Sequence, residues 1–234
     1  MIDKTRYKRQ LLLKEVGEEG QTKLASSRVL VIGAGGLGSP VILYLTAAGV
    51  GTLGIIDCDR VDLSNLQRQI VHNIYNIGQS KVASAAEKAT AINPEIKVIT
   101  YDCRFDRTNA ADILSNYDVV VEATDNSESK FFINDACVEA SKPLVTGAIR
   151  EFAGTVMTVM PGCATYRDVF NNSPQSSQDS ASYGVLGAVT GVVGSIQAIE
   201  VLKIILGAGD LLTNKILTID TLSMEFNTFH VSKS

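Results

Sequence analysis

The sequence predicts a doubly wound α/β domain with a mostly parallel sheet and an antiparallel extension at its C-terminal end. Short apolar runs bounded by Gly and Asp alternate with segments of helical periodicity over residues 28–149, a pattern typical of a parallel sheet covered on both faces. A glycine-rich turn, GAGGLG, joins the first run to the first helical segment. Beyond residue 152 the runs lose such intervening helices, so we expect antiparallel strands there.

The individual elements follow from the same patterns. The predicted strands are RVLVIGA at 28–34, TLGIID at 52–57, KVITY at 97–101, DVVVEA at 118–123, PLVTGAI at 143–149, GTVMTVM at 154–160, and the runs at 215–221 and 225–231. The predicted helices of the parallel part are 37–48, which stops at Gly49, then 81–92, 110–116 and 130–140.

By composition alone, the long apolar segment at 184–206 fits a membrane-spanning helix. Its second half carries Gln197, Glu200 and Lys203, and unpaired charges there are costly in lipid. We therefore expect a buried core helix. The segment before it, NNSPQSSQDSAS at 171–182, has no apolar anchor and is expected to be a mobile crossover loop.

Composition excludes several classes of protein. The 234 residues are 45% hydrophobic, which excludes disorder, and 21 basic against 25 acidic residues give a net charge of −4. Because no overall basic field exists, neither nucleic acid nor a membrane surface is an expected partner. The cysteines, Cys58, Cys103, Cys137 and Cys163, never form a CxxC pair. With no secretory signal at the N-terminus either, we expect a cytoplasmic protein.

Gly33, Gly35 and Gly38 form GxGxxG directly after a predicted strand and before a helix, which is the context of a nucleotide site in a Rossmann-like sheet. Glycines let the backbone approach a phosphate, and the helix N-terminus offers free amides; a turn needed for packing alone is the weaker alternative. About twenty residues on, Asp57 ends the next strand, where a carboxylate binds ribose hydroxyls. Up to this point NAD and ATP fit equally.

The next residues favour ATP. In DCDRVDLSNLQRQ at 57–69, Arg68 lies just beyond the ribose carboxylate, and Lys81 opens the following helix. Arg68 alone is best explained as a surface arginine, but two cations flanking one glycine turn suit a triphosphate. Asp125, after the strand at 118–123, can bind Mg²⁺ or cap the helix from Ser127, and both roles are compatible. The predicted chemistry is attack on a phosphate of Mg-ATP.

Together these motifs resemble the MoeB/ThiF/HesA family. They are RYKRQ at 6–10, GAGGLGS, DxDxVxxSNLQRQ, GxxK at 78–81, INP at 92–94 and TDN at 124–126, and the likeness runs from about residue 6 to residue 229. These proteins resemble ubiquitin-activating enzymes. The resemblance implies an ATP-dependent adenylyltransferase that activates the C-terminal glycine of a small ubiquitin-like, β-grasp sulfur carrier ending in Gly-Gly.

The resemblance also implies roles for single residues. Gly36 and Asp57 would hold the adenosine end, Asp125 would ligate Mg²⁺, and Arg9 would reach the phosphates from the partner subunit of a homodimer. The residues expected along the phosphates are Ser64, Asn65, Arg68 and Lys81, with Asn65 orienting the reacting groups. The expected binding set also includes Gly33, Gly35, Gly38, Asp59, Gln69 and Asn126.

Two departures from the family pattern change what we expect. Family members commonly bind zinc through two CxxC pairs, but the matching first segment here is TYRD at 165–168, and no second pair follows the last strand. We therefore expect no zinc site. The crossover-loop cysteine of many relatives corresponds to a position near Ser180, and a serine without a base is a poor nucleophile. We expect the reaction to stop at the adenylate.

Three alternatives remain open. An enzyme of the same fold could adenylate a small carboxylate or a peptide, as threonylcarbamoyladenosine dehydratases and microcin-modifying enzymes do. An NAD-dependent oxidoreductase would explain GxGxxG but not Arg68, Lys81 and Asp125. A non-catalytic scaffold of this fold is hard to reconcile with so complete a set of ATP residues.

Overall fold

The computed structural model describes residues 2–170 and 184–233. Its strands are β1 (Arg28–Ile32), β2 (Thr52–Ile56), β3 (Lys97–Tyr101), β4 (Val119–Glu122), β5 (Leu144–Arg150), β6 (Ala153–Val159), β7 (Lys215–Asp220) and β8 (Glu225–His230). Its α-helices are α1 (Lys8–Leu11), α2 (Gly17–Ser26), α3 (Gly38–Ala48), α4 (Lys81–Ile92), α5 (Ala110–Leu114), α6 (Ser127–Glu139), α7 (Tyr166–Phe170) and α8 (Gly187–Leu206). Two 3₁₀ turns lie at Leu63–Asn65 and Ile74–Asn76.

All eight strands form one sheet in the order β3-β2-β1-β4-β5-β6-β7-β8. Strands β1 to β5 pair in parallel, and β6, β7 and β8 add to the β5 edge in antiparallel register. The predicted fold class is confirmed. The strand order reverses between β1 and β4, so a crevice opens there at the carboxyl ends of the strands, where sheets of this kind bind ligands.

The central strand β1 explains how the sheet is buried on both faces. Val29 and Val31 point into one apolar cluster, which includes residues of α2, α3, α4 and α8, while Leu30 and Ile32 point into a second cluster with residues of α5 and α6. All four side chains are at most 3% exposed. Burying each one stabilises the fold by about 1.5–3 kcal/mol. The two clusters hold the carboxyl ends of β1 and β4 in fixed positions.

Helix α8 has the length and composition of a membrane span, with a mean hydropathy of 1.7 over its most apolar window. In this structure it packs against α3, β5 and β6. Its Glu200 is 2% exposed and accepts hydrogen bonds from the Thr158 hydroxyl at 2.6 Å and the Leu212 amide at 2.8 Å. The helix therefore occupies the position predicted for a core helix.

Several element boundaries differ from the sequence-based prediction. Strand β1 ends at Ile32 because Gly33 turns the backbone out of the ladder with φ +103°. Helix α6 begins at Ser127, three residues before the predicted start, and α7 and the two 3₁₀ turns were not predicted. The predicted loop at 171–182, with Ser180, lies outside the described residues. From the sequence we also expect a single domain made of an N-terminal arm and helix (1–26), a nucleotide-binding core (27–150) and the antiparallel extension (151–234), and this division stays a prediction.

Candidate active site

A cleft of ≈ 970 Å³ lies at the carboxyl edge of the sheet and is lined by residues that follow β1, β2, β3 and β4, together with the last residues of β5. Ten of the predicted site residues line it: Gly33, Gly35, Gly36, Asp57, Asp59, Arg68, Gln69, Lys81, Asp125 and Asn126. Four others lie outside the lining: Arg9, Gly38, Ser64 and Asn65. The positively charged side chains, the glycine turn and the carboxylate of the TDN motif therefore meet in one place.

The glycines of the turn serve different purposes. A Cβ on Gly33 would stand 2.6 Å from the carbonyl oxygen of Ala123, and one on Gly38 would stand 2.0 Å from the carbonyl oxygen of Gly33. These two glycines are therefore required by the close packing of β1, α3 and the end of β4. A Cβ on Gly35 would meet only the Gln69 side chain, at 3.6 Å, so Gly35 leaves the backbone open toward the cleft.

Asp57 fixes the loop that follows β2. One carboxylate oxygen accepts the amide of Ala34 at 2.8 Å, and the other accepts the amide of Asp59 at 2.9 Å. The carboxylate thus joins the end of β2 to the glycine turn. Each oxygen can accept a further hydrogen bond, and Asp57 lines the cleft.

Lys81 is 6% exposed, and its ammonium group forms an ion pair with the exposed carboxylate of Asp59 at 2.8 Å. The amide of Lys81 also donates to the carbonyl of Asp59 at 3.0 Å. Strand β2 and helix α4 are therefore joined through these two residues. The ammonium group is held at the cleft by a carboxylate rather than extended into solvent.

Ser64 and Asn65 belong to a capping box and support Arg68 indirectly. The hydroxyl of Ser64 donates to Asp62 at 2.6 Å, and the side-chain oxygen of Asn65 accepts the Asp62 amide at 3.2 Å. Hydrogen bonding from Ser64 holds the pKa of the Asp62 carboxyl below its usual range. Arg68, which is half-buried, donates to the carbonyl of Ser64 at 3.2 Å. The turn thus orients the guanidinium.

Gln69 offers an unused acceptor at the cleft. Its side chain is 5% exposed, and its buried Oε1 has no hydrogen-bond partner among the described residues. A buried acceptor without a partner costs about 1–3 kcal/mol. Gln69 itself lines the cleft, where its side-chain amide is the neighbour of Gly35.

The TDN motif divides its two expected roles between neighbouring residues. The side chain of Asn126 accepts the Ser129 amide at 2.9 Å and caps α6. Asp125 is exposed and lines the cleft. Because the capping role belongs to Asn126, the carboxylate of Asp125 stays available as an oxygen ligand for Mg²⁺.

Three residues near the cleft were not predicted: His72, Glu122 and Lys130. The ring of His72 lies 2.9 Å from the Ala34 carbonyl through Nε2 and 2.8 Å from the Ser84 hydroxyl through Nδ1. Burial lowers the pKa of His72, and the nearby Lys81 lowers it further. Because a carbonyl oxygen only accepts, Nε2 of the neutral ring donates to Ala34 and holds the glycine turn in place. The signal in the sequence that could have revealed this residue was a histidine three residues after SNLQRQ.

Glu122 and Lys130 form a buried ion pair with a distance of 2.7 Å, and Lys130 also lines the cleft. The signal in the sequence was an apolar strand that ends in a carboxylate, with a lysine eight residues later.

In the TYRD segment at 165–168, the amide and hydroxyl of Thr165 donate to Asp168 at 2.7 and 2.9 Å. The absence of a zinc site stays a prediction.

Comparison with known proteins identifies the chain. The model of the ThiF family matches residues 7–234. The chain belongs to the ThiF family. This ThiF-family chain is 44% identical over 225 residues to the SAMP-activating enzyme E1 of Haloferax volcanii, covering 95% of this chain and 83% of that protein. The likeness stated from the motifs is thereby confirmed.

Other curated relatives of this ThiF-family chain are longer. It is 41% identical over 235 residues to the probable adenylyltransferase/sulfurtransferase MoeZ of Mycobacterium tuberculosis, covering 97% of this chain and 60% of MoeZ. It is 47% identical over 221 residues to the adenylyltransferase and sulfurtransferase MOCS3-1 of Zea mays, covering 93% of this chain and 47% of that protein. The chain thus spans about half to three fifths of these two relatives.

Among solved structures, the ThiF-family chain resembles E. coli MccB with MccA-N7isoASN, with a TM-score of 0.87 and 21% identity over 100% of this chain and 73% of that one. It also resembles E. coli MccB with ATP, with a TM-score of 0.86 and 21% identity over 98% of this chain and 72% of that one. At this level of identity the likeness shows the fold alone.

Proposed function

We propose that this protein is an ATP-dependent adenylyltransferase that activates the C-terminal glycine carboxylate of a small ubiquitin-like sulfur-carrier protein. The observation that carries the proposal is that Arg68, Lys81 and Asp125 line one cleft together with the glycine turn. Relatives named SAMP-activating enzyme E1 and adenylyltransferase/sulfurtransferase support the same activity.

In the proposed reaction, a carboxylate oxygen of the carrier attacks the α-phosphorus of ATP. The new bond gives acyl-AMP, and the bond from the α-phosphorus to the bridging oxygen breaks and releases pyrophosphate with its electron pair. Arg68 and Lys81 stabilise the negative charge on the phosphates, and Gln69 and Asp57 bind donors of the nucleoside. Asn65 is proposed to orient the reacting groups. Catalysis then comes from positioning and fixed charge.

Asp125 is the residue proposed to hold Mg²⁺, because its exposed carboxylate lines the cleft and hard cations prefer oxygen ligands. When bound, the ion would supply positive charge that offsets the negative charge of the phosphates. The TYRD segment places no cysteine at 165–168, so we propose that activity does not depend on zinc.

The partners are proposed from the family resemblance. The substrate would be a β-grasp carrier that ends in Gly-Gly, and a homodimer would bring Arg9 of one subunit to the phosphates of the other. Arg9 is exposed on α1 and lies outside the lining of its own subunit's cleft, which is compatible with a role in a neighbouring subunit. The cytoplasm is the proposed location.

A second candidate is an enzyme of this fold that adenylates a peptide or a small carboxylate. The solved structures of MccB with MccA forms share its fold, but their 20–21% identity is far below the 41–47% identity to the adenylyltransferases named above. Mass spectrometry of the adenylated product would separate the two. A binding comparison of ATP with NADH tests the more distant oxidoreductase alternative.

The test of the main proposal is carrier-dependent exchange between pyrophosphate and ATP. We expect exchange with at least one carrier ending in Gly-Gly and a loss of exchange in Asp125→Ala. Lys23→Ala, which removes an exposed ion pair on α2, is the matched control and should retain it. No exchange with a panel of such carriers, or full activity in Asp125→Ala, would contradict the proposal.

A further inference from the structure

We infer that the buried carboxylate of Glu122 is a positioning residue that holds Asp125 at the cleft through the turn at 124–126. The inference rests on the proposed function, because it concerns the carboxylate proposed to bind Mg²⁺. Glu122 is the last residue of β4 and is 0% exposed. It does not line the cleft, so it acts on the site through other residues.

Both carboxylate oxygens of Glu122 are fully engaged. Oε1 accepts the amide of Thr124 at 2.7 Å and its hydroxyl at 2.6 Å. Oε2 accepts the ammonium of Lys130 and the hydroxyl of Thr146, each at 2.7 Å. One carboxylate therefore ties the start of the turn to α6 and to β5.

Lys130 and Gln197 complete the network. The Lys130 ammonium also donates to the Gly147 carbonyl at 2.6 Å, and Gln197 of α8 donates to the main-chain carbonyl of Glu122 at 2.8 Å. Three elements, α6, β5 and α8, thus converge on the end of β4. Such a buried charged network is costly to desolvate and is rarely more stable than an apolar core of equal volume. Its value here is that it fixes a unique geometry.

The turn at 124–126 is held on both sides of Asp125. On one side, Thr124 is bound by Glu122 through two hydrogen bonds. On the other side, Asn126 is bound by the Ser129 amide at the start of α6. The residues on both sides of Asp125 are therefore fixed, which lowers the ordering cost when its carboxylate binds the ion. Residues that orient a metal ligand commonly change metal affinity by about 10–100-fold.

The chain contains a matched control for this network. Glu200 of α8 is also buried, pairs with Lys203, and accepts a threonine hydroxyl and a backbone amide. It has the same kinds of partners as Glu122, but its hydrogen bonds run to Thr158 and Leu212 and not to Thr124. Replacing either glutamate by glutamine removes one buried charge from one Lys–Glu pair. Only the replacement at Glu122 disturbs the turn at 124–126.

The experiment measures ATP affinity by calorimetry, with Mg²⁺ and with EDTA, for wild type, Glu122→Gln and Glu200→Gln. We expect the factor by which Mg²⁺ raises ATP affinity to be at least about tenfold smaller in Glu122→Gln than in wild type. The ATP affinity measured in EDTA should equal that of wild type. Glu200→Gln should keep both. An unchanged Mg²⁺-dependent gain in folded Glu122→Gln would overturn the inference while leaving the proposed function intact.

A second variant covers the case in which Glu122→Gln fails to fold. The double replacement Glu122→Gln with Lys130→Met removes both charges at similar volume, which is better tolerated than one unpaired charge. It should fold and show the same loss of the Mg²⁺-dependent gain; retention of that gain would overturn the inference. If wild type itself binds no ATP, the proposed function fails, which is a different result.

Discussion

The side chains around the cleft divide into those that face a ligand and those that hold the loops. Arg68, Lys81 and Asp125 face the cleft, whereas His72 binds the backbone of the glycine turn. Asp57 belongs to both groups, because it lines the cleft and also accepts the Ala34 amide. This division predicts different consequences of substitution. Changes in the first group should alter ligand affinity, and changes in the second group should alter the stability of the turn.

Lys81→Met should lower ATP affinity by roughly 10–100-fold, because a hydrogen bond to a charged group contributes about 1.5–3 kcal/mol. The fold should persist, since Asp59 is exposed and remains hydrated when its partner is removed. Calorimetry measures the affinity, and circular dichroism checks the fold. Lys23→Met, on the surface of α2, is the control. An affinity unchanged from wild type would exclude Lys81 from the binding set.

His72→Gln should reduce the dependence of stability on pH. Burial lowers the pKa of His72 below its usual 6.5, so the unfolded chain binds the proton more readily than the native one. The stabilisation is present above about pH 6.5 and is lost as the pH falls toward the native pKa, by at most about 1.4 kcal/mol per pH unit.

Urea unfolding at pH 7.5 and at pH 5.5 measures this effect. The difference between the two free energies of unfolding should be smaller in His72→Gln than in wild type. The chain has one other histidine, His230, which is exposed on β8. His230→Gln should leave the difference unchanged. Equal differences in wild type and His72→Gln would show that the ring does not titrate in this way.

The sequence predicted the ligand-facing residues better than the supporting ones. Arg68, Lys81 and Asp125 could be placed because each follows a strand end or begins a helix at the same edge of the sheet. Glu122, Lys130 and His72 could not, because whether a polar side chain is buried or exposed depends on tertiary packing. Ser64 and Asn65 were predicted along the phosphates, and the structure engages their side chains in a capping box; their direct role stays a prediction.

At the scale of the elements, the junction between β1 and α3 limits what the glycine turn tolerates. Gly38→Ala would place a Cβ 2.0 Å from the Gly33 carbonyl oxygen, whereas Gly35→Ala meets a flexible side chain at 3.6 Å. We expect Gly38→Ala to destabilise the fold by about 1–3 kcal/mol or more and Gly35→Ala to change stability little. Thermal unfolding compares the two. Equal melting temperatures would contradict this packing argument.

Elements with strong end signals were predicted at their observed residues. Helix α4 was predicted at 81–92 and lies at Lys81–Ile92, where Ser80 caps its start and Pro94 follows its end. Helix α7 and the 3₁₀ turns are only a few residues long, too short for periodicity to reveal. An antiparallel extension was predicted, but the order and pairing register of β6, β7 and β8 depend on contacts that no local pattern encodes.

At the scale of the whole molecule, the proposed homodimer makes a prediction about mixed subunits. Arg9→Ala and Asp125→Ala should each be inactive. The first change removes an arginine from the active site of the partner subunit, and the second removes the carboxylate from the subunit's own active site. Mixing the two under exchange of subunits should restore about a quarter of wild-type activity, the share of complete sites in a randomly mixed two-fold dimer.

Pyrophosphate exchange measures this restoration. A mixture of Asp125→Ala with Lys81→Met is the control, since both changes lie in the same subunit's cleft. Each mixed dimer then has only incomplete sites, and activity should not return. No restoration with Arg9→Ala would mean that Arg9 does not act across an interface between subunits.

The ion pair between Lys81 and Asp59 has a consequence for selectivity. Asp59 acts as a built-in counter-ion, so an incoming anion gains the lysine only by displacing a carboxylate that already neutralises it. A singly charged anion gains little from this exchange, whereas a triphosphate offers several negative charges and releases Asp59 to water. The cleft should therefore discriminate between anions by their charge. Chloride and other monovalent anions should not bind at cellular concentrations, whereas a polyanion should bind.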